Sequence, residues 1–216
     1  MLEQELEQPK RLLIGDNAPA WSANTTFGKM NLSDFLGKWV LLFSHPADFT
    51  PVCTTEFIAF TLACDEFKKR NVQLIGLSID SVHSHIAWMM NIEEKFGVKV
   101  PFPVISDLDM GIANLYGMIH DTISTTATIR AVFLIDDKGI LRAMLYYPPN
   151  IGRNVAEILR IVDAVQLTDK HDVATPEGWK PGDKVIVPPP STLESAKAQS
   201  EKGYECIDWY FCKKEV

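Results

Sequence analysis

The sequence predicts an α/β domain, a sheet with crossover helices, continued by an extended C-terminal arm. Two observations carry that prediction. Apolar, β-rich runs alternate with helix-patterned segments through most of the 216 residues. From residue 168 the composition then turns to proline, glycine and charge. With 46% hydrophobic and 23% charged residues, the chain can bury one substantial core. The expected boundaries are a domain over residues 1–167 and an arm over residues 168–216.

Taken in order, "WVLLFSHP" reads as a buried strand ending near Ser44. A helix over residues 51–69 follows, with Phe57, Phe60, Cys64 and Phe67 at helical spacing. "NVQLIGLSID" is the next strand, and Ser81 caps a helix carrying Ile86, Met89, Met90 and Ile92. "FPVISD" begins a short strand and helix. "TIRAVFLIDDKGILRAMLYY" supplies two strands joined at Asp137, Lys138 and Gly139, and "RNVAEILRIVDAVQL" an amphipathic helix that closes the domain. In the arm, consecutive prolines at 188–190 enforce extended backbone. Trp179, Trp209, Tyr210 and Phe211 in that arm call for a docking surface, on the same chain or on a partner.

A net charge of -7 and a pI near 5.2 offer no basic face for nucleic acid. The first ten residues, "MLEQELEQPK", lack the basic and apolar regions of a signal peptide, and no apolar run suits a bilayer. The expected compartment is the cytoplasm, with no membrane partner. Cysteines at 53, 64, 206 and 212 are too few for a disulfide-built scaffold, so any disulfide is expected to belong to a reaction cycle.

The stretch "HPADFTPVCTTE" places Cys53 in a helical first turn, because Thr50 suits the N-cap and Pro51 the first helical position. Unpaired amide groups and the helix dipole favour an anion there, so a thiolate is stabilised. Cys64, on the apolar stripe, reads as a core residue. Cys53 has polar neighbours and follows a strand end, where open α/β sheets place their binding crevice. The spacing of His45, Cys53, Cys206 and Cys212 fits no zinc pattern, so no metal is expected. Acidity alone does not make a fast nucleophile. Bringing a thiol from about 8.5 to roughly 6 raises its thiolate fraction about thirtyfold at neutral pH, while its nucleophilicity falls roughly tenfold. A cation aimed at the developing charge is needed as well.

Pro46, Thr50 and Cys53 in "PADFTPVC" match the P-x-x-x-T-x-x-C signature of the peroxiredoxins, which this sequence resembles over most of its length. "GDNAP", "LSIDSVHSHIAW", "FPVISD" and "TIRAVFLID" extend the similarity, which is greatest to the branch containing the one-Cys enzymes. The resemblance implies a thioredoxin-like fold with an extended C-terminal arm, and no cofactor. It implies that Cys53 attacks hydrogen peroxide or an organic hydroperoxide and becomes a sulfenic acid. Arg130 is then the cation, Thr50 bonds the peroxide and the sulfur, and Pro46 shields the centre from water. His45 and Arg153 border the substrate, and Glu56 orients the arginines.

Unlike one-Cys enzymes, the arm carries Cys206 and Cys212. The expectation is a two-cysteine cycle in which Cys212, at a mobile chain end, resolves Cys53 across a homodimer and then exchanges with Cys206. Thioredoxin or a similar dithiol would recycle the enzyme, and the family suggests rings of five dimers. The lipase-like G-x-S-x-G element of some relatives is absent, "LGKWVLLFSHP" standing in its place. The Gly-Gly-Leu-Gly element of peroxide-sensitive two-Cys enzymes is also missing. Two other classes compete with this reading. A thiol-disulfide oxidoreductase expects C-x-x-C where this chain has "VCTT", and a redox-sensing or chaperone-like ring would use the same cysteine.

Overall fold

The computed structural model describes residues 11–216, without the side chains of residues 200 and 201. The first ten residues, on which the expectation of no signal peptide rests, lie outside the described residues. The chain forms two compact units that divide between Val155 and Ala156.

In the first unit, β1 (Ser22–Thr25) and β2 (Gly28–Asn31) make a hairpin ahead of β3 (Trp39–Ser44), whose six residues are all buried. Then come α1 (Pro51–Leu62), α2 (Cys64–Lys69), β4 (Val72–Ser78), α3 (Val82–Phe96), β5 (Val104–Ser106) and α4 (Gly111–Leu115). A hairpin of β6 (Arg130–Ile135) and β7 (Leu141–Tyr147) ends the sheet. Its strand order is β2-β1-β5-β4-β3-β6-β7. β3 lies inside the sheet, parallel to β4 and antiparallel to β6, so the loop after its C-terminal end starts between two paired strands. A strand buried on both faces must be apolar throughout, as "WVLLFS" nearly is. Gly139 takes a left-handed φ of 84° at the β6–β7 link, a conformation that costs glycine little.

Two details differ from expectation. The helix expected over residues 51–69 is interrupted at Ala63, whose amide is shared between the carbonyls of Ala59 and Thr61. On α3, Ser81 does cap, accepting from the Ser84 amide, but the buried face is His85, Trp88 and Ile92. Ile86 and Met90 are exposed instead. Hydropathy favours methionine over histidine, and the difference is made by hydrogen bonds that a buried imidazole finds.

The second unit begins within α5 (Val155–His171) and continues through β8 (Val185–Ile186), α6 (Leu193–Lys197), β9 (Glu205–Asp208) and β10 (Phe211–Lys214). β10 is the middle strand of a small antiparallel sheet ordered β8-β10-β9. The unit has a core of its own, where Ala164 and Leu167 of α5 pack with Val173, Trp179 and Val185. That packing is why α5 groups with the C-terminal unit, twelve residues ahead of the boundary expected at 167/168. Trp179 finds its docking surface there, while Trp209 and Tyr210 stay exposed. Among the described residues, no helix is long and apolar enough to cross a membrane.

Candidate active site

The site is built where β3 ends. Thr50 holds the extended backbone of an N-cap, Pro51 takes the first helical position, and Cys53 falls in the first turn of α1, fully buried. The Thr50 hydroxyl does not cap the helix. It donates to the Ala47 carbonyl at 2.8 Å, while the Thr50 carbonyl accepts the Thr54 amide. Phe49, just before, has a left-handed φ of 54°, a local strain of about 1–2 kcal/mol for a residue with a Cβ. Pro46 is half-buried in the same loop.

Among the described residues, one hydrogen bond reaches the Cys53 sulfur, from Nη1 of Arg130 at 3.3 Å. Arg130 opens β6, and its Nε donates to the Pro149 carbonyl at 2.8 Å, which aims the guanidinium at α1. The same Nη1 donates to Glu56 Oε2 at 2.7 Å. Glu56 lies three residues after Cys53 on α1 and also receives Arg153: Nε and the backbone amide at Oε1, both at 2.8 Å, and Nη2 at Oε2, 2.7 Å. Arg153 Nη1 is taken up by the Ser44 and Ala131 carbonyls. Burial works to raise the Glu56 carboxyl, but the Arg153 hydrogen bonds and charge, with Arg130, outweigh it and hold the group below its ordinary range. Two guanidinium groups and one carboxylate leave a single net positive charge beside the sulfur.

Of the residues expected at the site, Cys53, Glu56, Arg130 and Arg153 meet in one buried cluster. His45 does not join it by hydrogen bonding. It is fully buried and bonds Asp48 through Nε2 at 2.9 Å. Asp48 and its second imidazole partner, His85, carry no signal in the sequence beyond lying within "HPADFTPVCTTE" and "LSIDSVHSHIAW". Cys206 and Cys212 face each other across β9 and β10 and are linked to one another by a disulfide, their Cα atoms 4.0 Å apart. Cys212 is not at a loose end. β10 is paired on both sides and Cys212 is fully buried, whereas Cys206 is only half-buried. Cys53 and Cys64 are free thiols. Burial pushes the Cys64 thiol up, as expected of a core residue.

An α/β scaffold that presents a helix-start cysteine to a paired arginine defines a class of proteins whose chemistry runs through one sulfur atom. The AhpC/TSA family pattern matches residues 14–144, and the C-terminal domain of 1-Cys peroxiredoxin matches residues 164–203. A peroxiredoxin of Aquifex aeolicus is 60% identical over 94% of this chain and 96% of its own length. One from Methanosarcina mazei is 52% identical over 94% and 97%. Among solved structures, a yeast mitochondrial 1-Cys peroxiredoxin superposes with a TM-score of 0.84 at 45% identity, covering 95% of this chain and 100% of that one. The peroxiredoxin 6 of Arenicola marina gives 0.82 at 38% identity, covering 94% and 98%. The chain belongs to the peroxiredoxins, of the AhpC/TSA family with a 1-Cys type C-terminal domain. Its fold is accordingly the thioredoxin-like one with a C-terminal extension, and its activity is that of a thiol peroxidase acting on peroxides.

Proposed function

We propose that Cys53 is the peroxidatic residue and that the cysteine pair of the arm resolves it. The observation that carries this reading is the bond from Arg130 Nη1 to the Cys53 sulfur, made while the same nitrogen is held by Glu56. The Cys53 thiolate attacks the terminal oxygen of the hydroperoxide, the O–O bond breaks, and the departing alkoxide or hydroxide takes a proton. Sulfur is oxidised to the sulfenic acid and the peroxide is reduced to alcohol or water. Arg130 stabilises the charge as the O–O bond stretches. Thr50 has committed its proton to Ala47, so its oxygen can only accept, which suits a peroxide O–H. Pro46 screens the loop from water, and His45 and Arg153 border the substrate, Arg153 by fixing Glu56.

Resolution follows in balanced steps. The thiol of Cys212 of the partner subunit attacks the Cys53 sulfenic sulfur, water leaves, and an intersubunit disulfide forms. Cys206 then attacks the Cys212 sulfur and releases the Cys53 thiolate. A free Cys53 in a chain whose Cys206 and Cys212 are disulfide-bonded is the state this exchange would produce, and the facing register of the two arm cysteines supports it. Thioredoxin or a similar dithiol then reduces that bond. Since Cys53 has no exposed surface, the first turn of α1 has to unwind before a second thiol can reach within disulfide range, about 6 Å between Cα atoms. Homodimers, assembled as rings of five, and a cytoplasmic location complete the proposal. Exposed Phe49, Ile86 and Met90 support assembly.

Mass spectrometry after one equivalent of peroxide tests the cycle. The expected products are a Cys206–Cys212 bond in the wild type, an intersubunit Cys53–Cys212 bond in Cys206→Ser, and no Cys53-linked dimer in Cys212→Ser. An undiminished Cys53-linked dimer in Cys212→Ser refutes the assignment. Size-exclusion chromatography with light scattering reads the assembly.

A further inference from the structure

Behind the loop that leads into α1 lies a fully or nearly fully buried array of His45, Asp48 and His85. His85, on α3, points Nδ1 at Asp48 Oδ2 and Oδ1, 2.8 and 3.1 Å away, and Nε2 at the Ile105 carbonyl of β5, 3.0 Å away. His45 Nε2 meets Asp48 Oδ1 at 2.9 Å, and its Nδ1 is buried without a partner. The carbonyl of Ile105 carries no proton. Burial opposes ionisation of Asp48, but the hydrogen bonds and charge of the two imidazoles outweigh it and hold the carboxyl below its ordinary range.

The imidazoles must therefore supply every proton in the array. His85 lies between two acceptors and needs a hydrogen on each ring nitrogen, which makes it the cation. His45 supplies one, on Nε2, and remains neutral with a bare Nδ1. Three bonds, three protons, one anion and one cation then balance. Burial opposes a second cation on His45 and pushes that imidazole down. Among the described residues, the other charged group facing the array is Asp80, from the loop after β4, whose Oδ2 is taken by the Asp48 amide and the Ser78 hydroxyl. Against the His45 ring, α1 presents Phe57 and α3 presents Trp88, both uncharged.

We propose that His85 is a positioning residue for the peroxidase reaction: held charged between Asp48 and the Ile105 carbonyl, it keeps His45 neutral, with Nδ1 free to accept a hydrogen bond at the substrate site. This rests on His45 bordering that site. Take the His85 cation away, and the Asp48 anion draws its compensating proton onto His45, the one imidazole left in contact with it. The bare acceptor is then lost. In His85→Gln/Asp48→Asn the anion is gone too, so His45 returns to neutral.

The test is nitrogen-15 NMR of the imidazoles in wild type, His85→Gln and His85→Gln/Asp48→Asn, together with peroxide rate constants across pH 6–8. Wild type should show His85 protonated on both nitrogens and His45 bare at Nδ1. In His85→Gln, His45 should carry two protons and the rate should fall about tenfold, the worth of one hydrogen bond, recovering as pH rises and His45 gives the proton up. The double variant should regain a neutral His45 and most of the rate. The wild-type spectrum needs no substitution, so it decides the proton placement even if a variant fails to fold. A neutral His85 in wild type, or a His45 that stays neutral in His85→Gln, overturns the proposal. So does a peroxide rate that ignores a charged His45. Peroxide-linked sulfenic acid formation at Cys53, followed in parallel, reports separately on the peroxidatic assignment.

Discussion

One nitrogen of Arg130, Nη1, bonds both the Cys53 sulfur at 3.3 Å and Glu56 Oε2 at 2.7 Å. Nη1 has two hydrogens, one for each acceptor. The carboxylate thus fixes the guanidinium, and the guanidinium fixes the place where charge on sulfur and oxygen is favoured. Lysine has no second nitrogen to donate to the Pro149 carbonyl, the bond that aims Arg130 at α1. Arg130→Lys should lower the rate of peroxide consumption by about 100- to 1000-fold, the loss seen when one preorganised donor is removed. Stopped-flow kinetics at fixed pH would show it, and a rate within a few-fold of wild type would remove Arg130 from the mechanism.

Glu56 links two arginines in a buried setting, so its substitution reaches beyond catalysis. Glu56→Gln strands both guanidinium charges and should cost roughly 3–5 kcal/mol in urea unfolding. The carboxyl is held lower in the folded state than its unfolded value of about 4.3. Its contribution is therefore complete above that value and fades as pH falls through the lower folded one. The acid slope of stability should flatten in Glu56→Gln; an unchanged slope would locate the acid sensitivity elsewhere.

Phe57, one turn after Cys53, is packed tightly against Gly76 of β4. A Cβ there would lie 3.2 Å from Cζ of the Phe57 ring and 3.5 Å from Phe43 and Val104. Gly76→Ala should destabilise the protein by about 1–3 kcal/mol and displace the start of α1. Combined with Phe57→Leu, the cost should be less than the sum of the two. Additive losses in thermal unfolding would show that the contact is not what limits Gly76.

The Cys206–Cys212 bond closes a short ring across β9 and β10. Reduction should release about 2 kcal/mol of local constraint for a ring of that size. Hydrogen exchange in β9 and β10 should therefore quicken by more than tenfold in dithiothreitol, while β3 and β4 keep their protection. Equal exchange in both redox states would mean that pairing with β8 and β9 suffices without the disulfide.

Much of this was legible because it is local. Strand β3, the Thr50–Pro51 entry into α1 and the position of Cys53 in its first turn follow from hydropathy, capping and the fixed φ of proline. The face of α3 was not legible. His85 is buried because Asp48, 37 residues earlier, and a β5 carbonyl satisfy it, and neither partner is visible from the helix's own pattern. The core of the C-terminal unit was hidden likewise, since Trp179 and Val185 are joined to α5 across proline- and glycine-rich chain.

By itself, then, the sequence determined the peroxiredoxin signature, the alternation of strands and helices, and the helix start that holds Cys53, because each depends on residues within a turn or two. Tertiary structure decided how the charges named by the resemblance bond to one another there. Arg130 lies 77 residues from Cys53 and Arg153 97 residues from Glu56, and only the pairing of β3 with β6 and the course of the chain after β7 bring them within hydrogen-bond range. The same holds for the His45–Asp48–His85 array and for the facing of Cys206 by Cys212. Register and packing are properties of the whole chain, so no local pattern records them.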